Sequence, residues 1–428
     1  MPSNSLIKIL GREKSASYLA PQPVLVFLKI TKKKVIYLKS KFLRSENEGG
    51  NETIVSLTNM LRNLVKDRRG QPDIFLAGAV LALIILGILI LASVSASLSE
   101  ERFGNTYYFL NHQIVFGLIP GLILGFLAFR VRLDFFKKWA PALLLVNLVF
   151  LSMVFLPKIG SEAGEAARWV SFGLFSFQPS EFLKLTFILY LAAWLASRTS
   201  KTRGFSQTFI AFLLVVGIIS LFLVLQPDIS TLGVIVISAA LMYFLAQTPL
   251  WHSILIILIG GGGLLALIKL APYRLNRLLV FLNPEIDPMG IGYQIKQALI
   301  TVGSGGLFGL GLGLSRQRYG FLPQSMSDSI FAIFAEETGF IGAAILILIF
   351  LLILWRGFRI AKRKEDKFSQ LAALGLTVWV CLQGFTNLAA MIGILPLTGI
   401  PLPFVSYGGS ALMSELIGMG ILLNISRR

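Results

Sequence analysis

Cysteine, histidine and acidic residues are scarce in this 428-residue chain. The single cysteine, Cys381, excludes an intrachain disulfide. The two histidines, His112 and His252, are too few for a histidine-built zinc site. No Gly-x4-Gly-Lys-Ser/Thr run is present, so the chain is not itself a P-loop ATPase. Charged residues make up only 14% of the chain, against roughly 25% in average soluble proteins. What fills the sequence instead is apolar: 55% of residues are hydrophobic and the mean hydropathy is +0.77. The apolar residues fall in long runs such as 74–92 and 341–355, the mark of a polytopic membrane protein.

Runs of roughly 17–25 apolar residues predict an all-α membrane protein of ten transmembrane helices. They lie near 74–97, 112–130, 139–157, 180–197, 206–225, 229–247, 251–270, 329–355, 369–393 and 404–425. Arg130, Arg132, Lys137 and Lys138 follow span two, Arg198, Lys201 and Arg203 follow span four, and a basic cluster from Arg356 to Lys367 follows span eight. These loops alternate, so one side collects the positive charge, and that side is read as cytoplasmic. Both termini then lie there. Residues 1–70 form a basic cytoplasmic extension, with 14 Lys and Arg against 5 Asp and Glu, half of the net +18. Lys32, Lys33, Lys34, Lys39, Lys41 and Arg44 are expected against anionic membrane lipids rather than nucleic acid. No signal-peptide pattern opens the chain, whose first long apolar run begins near Asp73.

Residues 71–428 are read as one membrane domain. Its opposite, extracytoplasmic side carries three loops of interest. Residues 158–179 contain Arg168 and Trp169, and Gln226-Pro227-Asp228 is a short turn. The third loop, 271–328, lies between spans seven and eight, and its aromatics, prolines and spaced glycines argue for an ordered, partly re-entrant segment. Gly303 to Gly313 is glycine-rich without dinucleotide spacing, which points to tight backbone packing. Arg274, Arg277, Lys296, Arg316 and Arg318 place cations there, suited to a phosphate or pyrophosphate headgroup. Asp328 stands where this loop meets an apolar helix, as a helix cap or as a general base. Glu336 and Glu337 follow two turns deeper, about 12 Å along the axis. Glu181 and Lys184 are spaced to pair on one helix face, and Glu415 is a further intramembrane acid, expected to face a cavity or a partner. The pattern describes a polar cavity opening outward.

Several segments resemble the SEDS family of FtsW, RodA and SpoVE, and most nearly its FtsW branch. They are Ala167-Arg-Trp-Val-Ser-Phe-Gly, Phe177-Gln-Pro-Ser-Glu-Phe-Leu-Lys-Leu185, and Leu225-Gln-Pro-Asp-Ile-Ser-Thr231. Further ones are Tyr273-Arg-Leu-Asn-Arg277, Gly292-Tyr-Gln294, Asp328-Ser-Ile-Phe-Ala, and Gly399-Ile-Pro-Leu-Pro-Phe-Val-Ser-Tyr-Gly-Gly-Ser410. The resemblance covers about 100–428. It implies an inverting peptidoglycan glycosyltransferase that polymerises lipid II on the outer face of the bacterial cytoplasmic membrane, for septal wall synthesis in division. It implies Asp328 as the essential acid, either base or metal ligand, and a divalent cation, Mg2+ or Mn2+, beside it. Arg274, Arg277 and Lys296 would meet the undecaprenyl pyrophosphate leaving group. Arg168, Trp169, Glu181, Lys184, Gln226, Asp228, Gln294 and Ser406 would line the substrate cavity. The implied partners are lipid II, a class B penicillin-binding protein transpeptidase and other divisome proteins.

The chain also departs from the family pattern. Many relatives read Leu-Pro-Glu-x-His-Thr-Asp where Leu322-Pro-Gln-Ser-Met-Ser-Asp328 stands here, so Gln324, Met326 and Ser327 replace Glu, His and Thr. Ser230 replaces a glycine. The competing readings are a lipid II flippase, a RodA-like elongation polymerase, and a scaffold for a transpeptidase. A flippase is expected to carry paired broken helices near the membrane midplane, whereas the sequence places its breaks mostly at the outer side.

Overall fold

The computed structural model describes residues 70–156, 160–162, 167–172, 175–198, 205–246, 248–270, 272–317 and 321–427. The basic extension before Gly70, and Arg318, lie outside the described residues. The described chain is helical apart from one small sheet. In order the elements are α1 (Ile74–Phe103), α2 (Tyr108–Arg130), α3 (Leu133–Met153), β1 (Gly160–Glu162), β2 (Ala167–Phe172), β3 (Phe175–Phe177) and α4 (Pro179–Arg198). They continue with α5 (Phe205–Leu225), α6 (Ile229–Leu245), α7 (Leu250–Leu270), α8 (Pro272–Leu282), α9 (Ile291–Ser304), α10 (Ile330–Lys362), α11 (Lys367–Met391) and α12 (Gly409–Arg427).

Nine helices among the described residues are long and apolar enough to cross a membrane. The tenth expected span is α6, an apolar helix of 17 residues that falls short of that length. The loop 158–179 holds the unforeseen antiparallel sheet β1-β2-β3, and the loop 271–328 holds α8 and α9. Helices dominate because lipid offers no partner for backbone N–H and C=O groups. Three starts are capped by acids: Asp73 accepts from Leu76 N at 3.0 Å, Asp228 from Thr231 N at 3.3 Å, and Asp366 from Ser369 N at 2.9 Å.

α11 is the central element, packed against α10, α4, α6, α9 and α12. α12 lies along α2, α3 along α4, and α1 along α10. α7 packs on α6 and α8 and, through His252 stacked on Phe209 at 4.5 Å, on α5, and is sparsely packed beyond that: 6% of its most apolar stretch is buried, against 83% for α11.

Two helices are irregular for identifiable reasons. In α2, residues Ile114–Leu118 form a π turn. Pro120 has no N–H to give to the carbonyl of Phe116 and its ring crowds that carbonyl, so the ladder loosens there. α10 is broken at Gly339 (φ 68°, ψ −169°), well inside the helix rather than at its outer end. This break lies deeper than those the sequence places mostly at the outer side. The glycine-rich run satisfies the freed backbone groups. Leu310 N donates to Glu336 O at 2.9 Å and Gly311 N to Glu337 O at 3.0 Å, while Phe340 N donates to Gly306 O at 2.9 Å. Glu336 accepts from the hydroxyls of Ser304 and Ser315, and Glu337 from Ser93 of α1 at 2.6 Å. Both carboxyls thus pin the break to its neighbours rather than forming an ion pair.

The Gly339 conformation is one that only glycine adopts readily, and a methyl group there would lie 2.3 Å from Gly309 N. Gly339→Ala is therefore expected to destabilise the protein by on the order of 3 kcal/mol. The check is thermal melting in detergent, where an unchanged midpoint would show that the break tolerates a side chain.

Candidate functional site

The site is organised by a strap, residues 397–408, that crosses the end of α11. Within it Val405 N and Ser406 N donate to Leu402 O, while side chains of α11 supply the donors for Ile400 O and Pro401 O. Gln383 and Asn387, four residues apart and so on one helix face, reach it together. Gln383 Nε2 donates to Pro401 O at 3.1 Å. Asn387 Nδ2 donates to Ile400 O at 2.8 Å and to Asp328 O at 2.7 Å. A polar pair in so apolar a helix was the available sequence signal, and a search confined to ionisable residues passes over it.

Asp328 sits in the turn that precedes α10. Gln324, with φ 54°, turns the chain so that Ser327 N and Ser329 N both donate to its carbonyl, at 3.1 and 3.2 Å. The strap then clasps this turn. Ser406 Oγ donates to Ser327 O and accepts from Leu402 N at 2.8 Å, and Tyr407 N donates to Met326 O at 2.8 Å. Gln113, just before the π turn of α2, holds the strap from the other side by accepting from Gly408 N at 3.0 Å. The Tyr407 hydroxyl lies 2.9 Å from His112 Nδ1, and burial pushes the phenol up to about 12. Gln294 of α9 completes the ring, donating to Ser329 Oγ at 3.2 Å.

The Asp328 carboxyl is 9% exposed. Its Oδ1 is 3.1 Å from the donating Ser327 Oγ. Its Oδ2 faces Gly399, where a methyl group would come within 3.9 Å and where φ is 68°. Burial raises its pKa above the ordinary carboxylate value, against the Ser327 hydroxyl and the charge of Arg277, which lower it. The expectation that Asp328 caps the helix is corrected: the cap position is Ser329, with no side-chain cap bond.

A second buried cluster adjoins the strap. Lys184, 1% exposed, bonds Glu181 at 2.8 Å and Gln383 Oε1 at 2.7 Å, and lies over the Trp379 ring. Glu415 accepts from Gln383 Nε2 at 3.3 Å and from Phe404 N of the strap at 2.8 Å. Ser180 Oγ joins Asp228 at 3.1 Å, and Gln226 Nε2 reaches Leu151 O at 3.0 Å. Arg168 donates to the carbonyls of Gln226 and Pro227, the latter at 2.7 Å, so β2 closes over that turn. Trp169 is in register with Ser161 across β1 and β2.

The expected headgroup cations are dispersed. Arg277 is exposed and is the one that acts on Asp328. Arg274 donates to Leu267 O at 2.8 Å and to the Tyr273 hydroxyl at 2.9 Å, and Lys296 is ion-paired to Glu285. Arg316 is exposed.

Among the described residues no group of three His, Cys, Asp or Glu could cage a metal. The donors at Asp328 are nonetheless all oxygen, from Asp328, Ser327 and Gln324. Such a set fits a hard cation held by one carboxylate and completed by substrate phosphates.

The family described as cell cycle protein, FtsW/RodA/SpoVE, matches residues 74–428. The chain belongs to this family. Stage V sporulation protein E of Bacillus subtilis (strain 168) is 38% identical over 360 residues, covering 84% of this chain and 98% of that protein. The probable peptidoglycan glycosyltransferase FtsW of Nitrosococcus halophilus (strain Nc4) is 37% identical over 370 residues, covering 85% and 94%. A chain from a peptidoglycan synthase complex, solved for its structural coordination of polymerization and crosslinking, superposes with a TM-score of 0.66 at 29% identity, covering 83% and 98%. Thermus thermophilus rod shape determining protein RodA gives 0.60 at 28% identity, covering 83% and 97%. As a member of the FtsW/RodA/SpoVE family, the chain is a multi-pass membrane protein, and the match reaches from the start of α1 to the end of α12.

Proposed function

We propose that this chain is a peptidoglycan glycosyltransferase that polymerises lipid II at the outer face of the cytoplasmic membrane, with Asp328 as its base. The observation that carries the reading is the setting of Asp328: a nearly buried acid whose backbone is held by Asn387 and whose carboxyl accepts from Ser327, in a chain whose relatives carry that activity in their names. Burial raises the proton affinity of this carboxylate, which makes it the stronger base.

In the reaction, the 4-hydroxyl of the acceptor sugar gives its proton to Asp328 as its oxygen bonds to the anomeric carbon of the lipid-linked glycan. The anomeric carbon's bond to the pyrophosphate oxygen breaks on the opposite face, with inversion, and undecaprenyl pyrophosphate leaves. Arg277, exposed beside Asp328, and Arg274 are the cations for that leaving group. A Mg2+ or Mn2+ ion held by Asp328 and Gln324 would neutralise pyrophosphate charge. Glu181, Lys184, Gln226 and Asp228, all buried and bonded within the protein, set the shape of the cavity wall.

The positive loops support a cytoplasmic position for both termini, and the FtsW-like sequence favours division, with a class B penicillin-binding protein as partner. The flippase reading gains one broken helix at Gly339, but the break is closed by the bonds from the glycine-rich run.

The test is glycan polymerisation by the purified protein with its transpeptidase partner, labelled lipid II and divalent cation. Polymer that forms only when this chain is present supports the enzyme. Its absence, with transbilayer movement of lipid II in vesicles, replaces it with the flippase, and the absence of both leaves the scaffold.

A further inference from the structure

Asn387 lies deep in α11, 1% exposed, and is absent from the set of residues expected to meet substrate. Its amide nitrogen donates to two backbone carbonyls that belong to different segments, Asp328 O at 2.7 Å and Ile400 O at 2.8 Å. Carbonyl oxygens only accept, so these two would repel each other without a group between them. A single nitrogen carrying two hydrogens meets the need. The same bonds fix which way the amide points, and they leave Asn387 Oδ1 buried with no partner.

The Ile400 side of the bridge matters because the preceding residue, Gly399, faces Asp328 Oδ2. One side chain therefore sets both the backbone that carries the carboxyl and the backbone that faces it. We propose that Asn387 is a positioning residue for Asp328, holding the reacting carboxyl against the strap in the orientation the acceptor hydroxyl requires. The inference rests on the reading of Asp328 as the base.

The experiment compares Asn387→Asp, Asn387→Ser, Thr377→Val and Asp328→Asn in the polymerisation assay, with kcat, KM and melting temperature measured for each. Asn387→Asp keeps the shape and removes the donors. It is expected to lower kcat about 100-fold, the scale of a 1 Å misplacement, with KM changed less than threefold. Asn387→Ser, which retains one donor hydrogen, is expected to fall between it and the wild type. Thr377 is equally buried in α11 but bonds only back to Ala373 O, at 2.7 Å, and so controls for loss of stability. If kcat in both Asn387 variants falls no further than in Thr377→Val, beyond what their folded fractions explain, Asn387 is merely structural and the proposal is overturned. Should Asn387→Asp not yield folded protein, Asn387→Ser carries the comparison. The underlying reading fails separately, through an active Asp328→Asn.

Discussion

Asp328→Asn is expected to abolish glycan polymerisation while leaving the protein at least as stable as the wild type at neutral pH. The amide keeps the size of the carboxyl and cannot take a proton from the acceptor hydroxyl, so the rate should fall by about 10³-fold or more. Asp328→Ala should fall equally. The stability part follows from linkage. Burial raises the folded-state pKa of Asp328 above its unfolded value, so the folded protein binds this proton more tightly. Its stabilising contribution is complete below the unfolded pKa, near 4, and is lost as pH rises through the higher folded value. Once ionised, the wild type holds a buried charge that the amide lacks. Melting curves at neutral and acid pH check this: the advantage of Asp328→Asn should shrink as pH falls. Full activity in the Asn variant would remove Asp328 as the base, and a neutral-pH melting temperature well below wild type would show that the buried carboxylate is itself a structural partner.

Lys184→Met should be the most destabilising change in the second cluster. Lys184 is bonded between Glu181 and Gln383, with Glu415 attached to the same Gln383. Removing it leaves a buried carboxylate without its partner, at a cost of about 3–5 kcal/mol. The double variant Glu181→Gln/Lys184→Met should recover much of that loss, because it removes both members of the pair. Melting of the two single variants and the double variant in one detergent measures the coupling. Strict additivity would mean that the pair contributes no interaction.

The parts of the fold that were legible in the sequence are those written in apolar length and charge. The spans followed from uninterrupted Leu, Ile, Val and Phe, and the Glu181–Lys184 pair from its three-residue spacing. The tenth span was harder because α6 is short, and Asp228 at its start is a cap that spacing alone does not distinguish from a cavity acid. The sheet at 160–177 was invisible because its strands are three to six residues long. The clasp on Asp328 was not legible because it is made of backbone carbonyls and neutral amides. Asn387 and Gln383 bond to segments 13 and 18 residues away in sequence, and no local pattern records that. The break at Gly339 reads in sequence like any glycine in a membrane helix, and only the run 306–311 bonded across it shows why the chain opens there.

The sparse packing of α7 has a consequence for the reaction. A helix with few protein neighbours accommodates a change in hydrocarbon thickness by tilting, with little packing to oppose it. α7 is such a helix, and α8, with Arg274 and Arg277, is joined to its end. Asp328 is anchored to α11, the most enclosed helix of the bundle. The acid and the cations are thus surveyed from two different datum lines, one set by protein and the other by the bilayer. The gap between them is therefore expected to change with membrane composition, and turnover measured in thin and thick bilayers checks it.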